Sequence, residues 1–184
     1  VRKKRMKPYN IYRIGFAAVA AVCVMFVGCT YTLKSNDISI LQTGSSLKSV
    51  RPKTFAFKEF KAVRRNPYEV SGVYKVDQPA AAVCAMVIRK ELERNGHRCI
   101  AYSAQSNPDF IIEGSVSTYS VLVVGVKMTV TPVSPEKGMI TKTYEGEVRG
   151  FYNAYTWKKK FNQSLLAMVK EMSTDPDLIA FLEK

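Results

Sequence analysis

The sequence predicts an α+β domain in which one antiparallel or mixed sheet of four to five strands packs against two main helices. Three observations carry this. Apolar residues recur at helical spacing in two stretches, 79–95 and 155–172; β-branched and aromatic residues crowd the segments between them; and Gly96 and Ser134-Pro135-Glu136-Lys137-Gly138 mark breaks. With 184 residues, 47% hydrophobic and 23% charged, the chain can build one core. That composition excludes general disorder, collagen-like repeats and a polytopic membrane protein.

The first segment reads as a targeting signal. Arg2, Lys3, Lys4, Arg5, Lys7 and Arg13 precede an uncharged stretch from Ile14 to Gly28, with no acidic residue among them. A basic flank followed by an apolar run is the pattern of a Sec-type export signal, and the run is short for a span that needs about 20 residues. Residues 1–28 are therefore read as a signal peptide and 29–53, rich in Ser, Thr, Asn, Gln and Lys, as a tether, with docking of Ile38, Ile40 and Leu41 as an edge strand the alternative. One α+β domain is expected over 54–184.

Within that domain, Phe55 and Phe57 fall on one side of a first strand, and 68–76, with Val70, Val73 and Val76 around Gly72, reads as a second short strand or a long ordered loop. Asp77-Gln78-Pro79 opens a helix, with Asp77 as its cap and Gly96 as its stop. Val83, Met86, Val87 and Leu92 form its core face, whereas Arg89, Lys90, Glu93 and Arg94 face water. A strand is expected over 97–102, two more from Asp109 onward with a turn near Tyr119-Ser120, and a partner strand over 139–149. The last long helix, 155–172, places Phe161, Leu165, Met168, Val169 and Met172 on one face, and Asp175-Pro176 starts a short helical turn that covers a sheet edge.

Catalytic constellations do not emerge. Neither GxSxG, HExxH nor paired CxxC occurs, and the glycines are isolated, so no metal, nucleotide or other cofactor is expected. The single histidine, His97, follows a helix end and reads as structural. Glu91 with Glu93, and Glu145 with Glu147, read as solvated charges. For Cys84 and Cys99 two readings stand, a disulfide permitted by an oxidising compartment or two separate thiols. Tyr152, Tyr155 and Trp157 beside Lys158, Lys159 and Lys160 form a candidate binding patch for lipid phosphate, glycan or an acidic protein, against a half-buried aromatic cluster with a solvated lysine run.

Phe26-Val27-Gly28-Cys29 resembles the lipobox of bacterial lipoproteins, with Phe26 where leucine is usual. The resemblance implies cleavage between Gly28 and Cys29 and acylation of Cys29 by long chains such as palmitate, which would hold the protein on a bilayer. Cleavage leaves 22 basic against 15 acidic residues, a charge near +7 rather than +13, which removes most of the case for nucleic acid. Thr30 after the cysteine points to the outer membrane, with the inner membrane as the alternative. The helix AVCAMVIRKELERNGHRC, the phrase Asp109-Phe110-Ile111-Ile112-Glu113-Gly114 and Thr143-Tyr144-Glu145-Gly146-Glu147 before a final helix resemble the YajG-type and related transport-auxiliary lipoproteins. That resemblance implies a non-enzymatic, periplasm-facing accessory or assembly subunit of a transport or cell-wall complex, with an envelope protein as partner. The alternative is a lipid- or glycan-binding carrier built around Tyr152, Tyr155, Trp157 and the lysines.

Overall fold

The computed structural model describes residues 30–39, 45–62, 66–134, 136 and 138–183. The chain divides at Tyr31/Thr32 into two units, and the second carries the fold that follows. Gly28 and Cys29, the expected cleavage and acylation positions, lie outside the described residues.

Strands β1 (Tyr31–Leu33), β2 (Thr54–Phe57), β3 (Lys61–Ala62), β4 (Glu69–Ser71) and β5 (Tyr74–Val76) precede helix α1 (Ala80–Arg94). Then come β6 (Arg98–Ala101), β7 (Phe110–Tyr119), β8 (Val123–Pro132), β9 (Ile140–Glu147), α2 (Trp157–Thr174) and α3 (Pro176–Glu183). The architecture is α+β, with two sheets rather than the single one expected. A three-stranded sheet runs β1-β5-β4, and a six-stranded sheet runs β6-β2-β7-β8-β9 with β3 also on β7. The larger sheet is mixed. β2 lies parallel to both β6 and β7, because the crossover through α1 returns the chain in the same direction, and β7-β8-β9 is an antiparallel meander.

Alternation decides which sheet face is dry. Phe110, Ile112, Val116, Val126, Met128, Val130 and Tyr144 are buried beneath the helices. Their neighbours in register, among them Glu113, Lys127, Thr141 and Thr143, face away and are exposed. Both helices read as expected on their core faces except at Met86, which is half-buried. Phe161, Leu165, Met168, Val169 and Met172 are all buried, as are Val83, Val87 and Leu92. Aromatic pairs join the layers: Phe55 stacks on Phe110 at 5.6 Å and Tyr119 meets Phe161 edge-on at 5.3 Å.

Two expectations need correction. The stretch expected as a tether is folded wherever it is described: β1 and two short 3₁₀ turns place Leu33, Ile38, Leu47 and Val50 in the core. Ile40 and Leu41 lie outside the described residues. Asp77, expected to cap α1, instead accepts the Ser35 amide at 2.7 Å, and Pro79 stands at the cap with no side-chain bond. The folded 30–39 segment claims the carboxylate, and the proline ring already fixes the helix entry. Gly96 ends α1 with φ +90°, the left-handed backbone that a glycine adopts without strain.

Helix α2 lies directly on β9. A Cβ at Gly146 would overlap the Ser164 carbonyl oxygen and the Met168 amide nitrogen, both backbone atoms of α2. Backbone cannot swing aside as a side chain can, so Gly146→Ala is expected to cost about 3 kcal/mol, the upper part of the overpacking range. A urea midpoint shifted to lower concentration at unchanged slope checks this; an unshifted midpoint contradicts the contact.

Candidate functional site

The candidate patch is built by one loop, 148–156, between β9 and α2. Asn153 organises it. Its Oδ1 accepts the amides of Tyr155 and Thr156 at 2.9 and 3.1 Å, and its own amide donates to Thr156 Oγ1 at 3.0 Å. Gly150 takes φ +105°, and the Lys160 ammonium donates to the Arg149 carbonyl at 2.8 Å, so the loop is held at both ends.

This geometry divides the predicted aromatics. Trp157 is fully buried, with its ring 4.9 Å from Tyr74. Tyr152 is half-buried, hydrogen-bonds Ser71 through its hydroxyl at 2.9 Å and meets Tyr74 edge-on. Both side chains belong to the packing that ties the loop to β4 and β5. Tyr155 is 93% exposed and Phe151, which the sequence reading did not single out, is 100% exposed. Lys158 and Lys159 are exposed, and Lys160 is half-buried along its hydrogen bond. Of the six residues, Tyr155, Lys158 and Lys159 are presented at the surface together with Phe151, whereas Tyr152 and Trp157 are packed inward.

Two depressions lie elsewhere. One, of about 260 Å³ on the open sheet face, brings together Glu59, Lys61, Glu113, Ser115, Lys127 and Thr129. The other, of about 290 Å³ between the β2–β3 turn and α1, is lined by Phe57, Phe60, Ala81, Ala85 and Arg89. Neither includes Tyr152, Tyr155 or Trp157. Lys58, which lines the second, pairs with Glu113 of the first, and its ammonium also lies over Tyr102 at 5.2 Å.

The two edges of the large sheet differ. On β9 the Glu145 amide donates to the Glu171 carboxylate at 2.6 Å, Tyr144 donates to Asp175 at 2.8 Å, and Lys142 pairs with Asp177. Burial, then the bond to Asp175, raises the Tyr144 phenol above its ordinary range. This edge is closed by carboxylates of α2 and α3. On β6, Arg98 and Tyr102 donate to Lys53 and Phe57 of the β2 segment, which turns the amides of Cys99 and Ala101 outward. Among the described residues β2 is the single strand neighbour of β6.

Titratable groups are tied into structure. Glu91, expected at the surface, is fully buried on α1, where it pairs with Arg94 and accepts from Asn95 at 2.9 Å. Its exposure in the sequence reading failed because its partners come from its own helix turn. His97 is buried; its Nδ1 accepts the Lys53 amide at 3.3 Å and its ring meets Phe55 edge-on. Cys84 and Cys99 are free thiols, and Cys99 points its sulfur at the Arg89 carbonyl, 3.8 Å away. Among the described residues no group of three or more His, Cys, Asp or Glu could hold a metal ion, and no helix is long and apolar enough to cross a membrane.

Comparison with known proteins bears on the fold. Neither a family model nor a curated protein matches the sequence. Among solved structures, the chain is similar to protein XCC0632 from Xanthomonas campestris, described under the family model DUF330, with a TM-score of 0.54 and 13% identity over 77% of this chain and 92% of that one. The PelC dodecamer of Paraburkholderia phytofirmans has a TM-score of 0.44 and 14% identity over 74% and 98% of the two chains. At 13% identity the likeness to XCC0632 is one of fold.

Two outcomes follow from the buried groups. Burial pushes the Cys84 thiol up to about 12 and, with Glu93 nearby against Arg89, Cys99 also to about 12. At pH 8 both should react with Ellman's reagent roughly 1,000-fold more slowly than an ordinary thiol, and urea should restore the normal rate. Fast labelling of the folded protein contradicts this. Burial lowers the His97 imidazole; the nearby Leu47 backbone opposes this and the Lys53 charge adds to it. The neutral ring is thus favoured by folding: its contribution to stability is complete above the unfolded value near 6.5 and is lost as pH falls through the lower folded value. His97→Gln should flatten the pH dependence of the thermal midpoint below pH 6.5; an unchanged slope would show that His97 carries no such linkage.

Proposed function

We propose that the chain is a lipid-anchored envelope protein, acylated on Cys29 and facing the periplasm from the outer membrane, which serves a transport or cell-wall assembly as a non-enzymatic accessory subunit. The observation that carries the reading is the join of sequence and fold at its start. A lipobox-like Phe26-Val27-Gly28-Cys29 is followed within four residues by Leu33, already in the core. A new amino terminus at Cys29 would thus leave the described body whole, which is what a processed lipoprotein requires.

A binding rather than catalytic role is supported by where the reactive groups go. Glu91 is neutralised in its own helix turn, His97 serves the backbone of Lys53, and both thiols are held protonated. The partner would add a strand to β6, whose outward amides offer main-chain pairing that the carboxylate-closed β9 edge does not. The carrier reading loses its proposed pocket, since Trp157 and Tyr152 are committed to packing on Tyr74.

Intact-mass analysis of membrane fractions tests the anchor. The wild type should have lost 1–28 and gained the mass of two or three acyl chains, whereas Cys29→Ser should keep the leading segment and carry no acyl mass. A wild type of unprocessed mass overturns the proposal. Photocrosslinking in cells from position 101, on the β6 edge, should give one discrete protein adduct that is missing from position 143 on the open sheet face; identical patterns would overturn the choice of edge.

A further inference from the structure

We propose that Phe151, Tyr155 and Val73, with Lys158 and Lys159 beside them, form a face that lies on the bilayer, the two rings at the boundary of headgroups and acyl chains. This rests on the acylation of Cys29 proposed above. Phe151 and Tyr155 are the most exposed of the large apolar side chains described, at 100% and 93%, and Val73 is 46% exposed at the β4–β5 turn. Exposed rings on a mobile loop would mean little. These are on a loop fixed by Asn153, by Gly150 and by the Lys160 bond to Arg149, so little ordering remains for binding to impose.

Charge and position name the occupant. From Val148 to Lys160 the sequence holds no Asp or Glu, and Arg149, Lys158 and Lys159 are exposed; the carboxylate nearest in the fold to Val73 is Glu69, which accepts the Gly72 amide at 3.0 Å. Aromatic rings flanked by lysines match a membrane interface, where the rings sit at headgroup level and the ammonium groups meet phosphate. Tyr152 and Trp157 pack the loop onto Tyr74 of β5, and β5 is the hydrogen-bonded neighbour of β1, which ends at Leu33. Four residues from Cys29 to Leu33 span at most about 14 Å. Acyl chains on Cys29 would therefore keep this side of the body close to the lipid.

The test uses the full acylated protein, purified from membranes and reconstituted into vesicles of phosphatidylethanolamine and phosphatidylglycerol at about 3:1. An Ala154→Cys variant carries a nitrobenzoxadiazole label within the loop, and a Thr143→Cys variant carries it on the open sheet face. Labelling is brief and at neutral pH, where Cys84 and Cys99 react slowly. Nitroxide lipids should quench the loop label about threefold more than the sheet label. Adding Phe151→Ser and Tyr155→Ser to the loop-labelled protein should bring quenching down to the sheet value without moving the thermal midpoint, since both rings are exposed. Lys158→Glu with Lys159→Glu should weaken it in these vesicles and leave it unchanged in phosphatidylcholine alone. Equal quenching at the two labels, in protein whose mass shows the acyl chains, overturns the membrane face and leaves the anchor standing. Absence of the acyl mass overturns the anchor instead.

Discussion

The fold depends on the approach of helix α2 to the sheet at Gly146. There the backbone of Ser164 and Met168 occupies the space a side chain would need, so the helix rests on β9 at backbone distance. That contact fixes the height of α2 above the sheet, and with it the depth at which Phe161, Leu165, Met168 and Met172 enter the core. It also fixes both ends of the helix. At one end Trp157 reaches Tyr74 of the small sheet, and at the other Asp175 reaches Tyr144.

From this placement the surface acquires its asymmetry. The C-terminal end of α2 and the start of α3 bring Glu171, Asp175 and Asp177 to the β9 edge, where they meet an amide, a phenol and an ammonium. An edge occupied by carboxylates does not recruit another strand. The opposite edge, β6, has no such cover from the described strands, and the sheet face away from the helices is polar. At the amino end of α2, the Asn153 turn holds a loop whose inner rings bind the small sheet and whose outer rings face out. One packing contact thus separates an edge suited to a strand from a loop suited to lipid.

Much of this was legible from spacing alone. The core faces of α1 and α2, the β7-β8-β9 meander and the helix stop at Gly96 follow from periodicity and turn chemistry. The 30–53 stretch was not, because Leu33, Ile38, Leu47 and Val50 follow no repeat and dock through a three-residue strand and 3₁₀ turns. The parallel pairing of β2 is likewise non-local, with partners more than 40 residues away. At the patch, composition showed aromatic density and not direction. Asn153, two residues before Tyr155 and three before Thr156, is the signal that the chain turns there, and it decides that Trp157 goes in while Tyr155 stays out. Phe151 offered no period at all; the glycine before it was its only mark.

If the body begins folding four residues after an acylated Cys29, it has almost no slack above the bilayer, whereas a free 29–53 segment would allow a gap of several tens of ångströms. Neutron reflectometry of the acylated protein on a supported bilayer measures that gap directly. Protein density continuous with the headgroups is the predicted profile; a layer of water thicker than about 15 Å between lipid and protein would contradict the account.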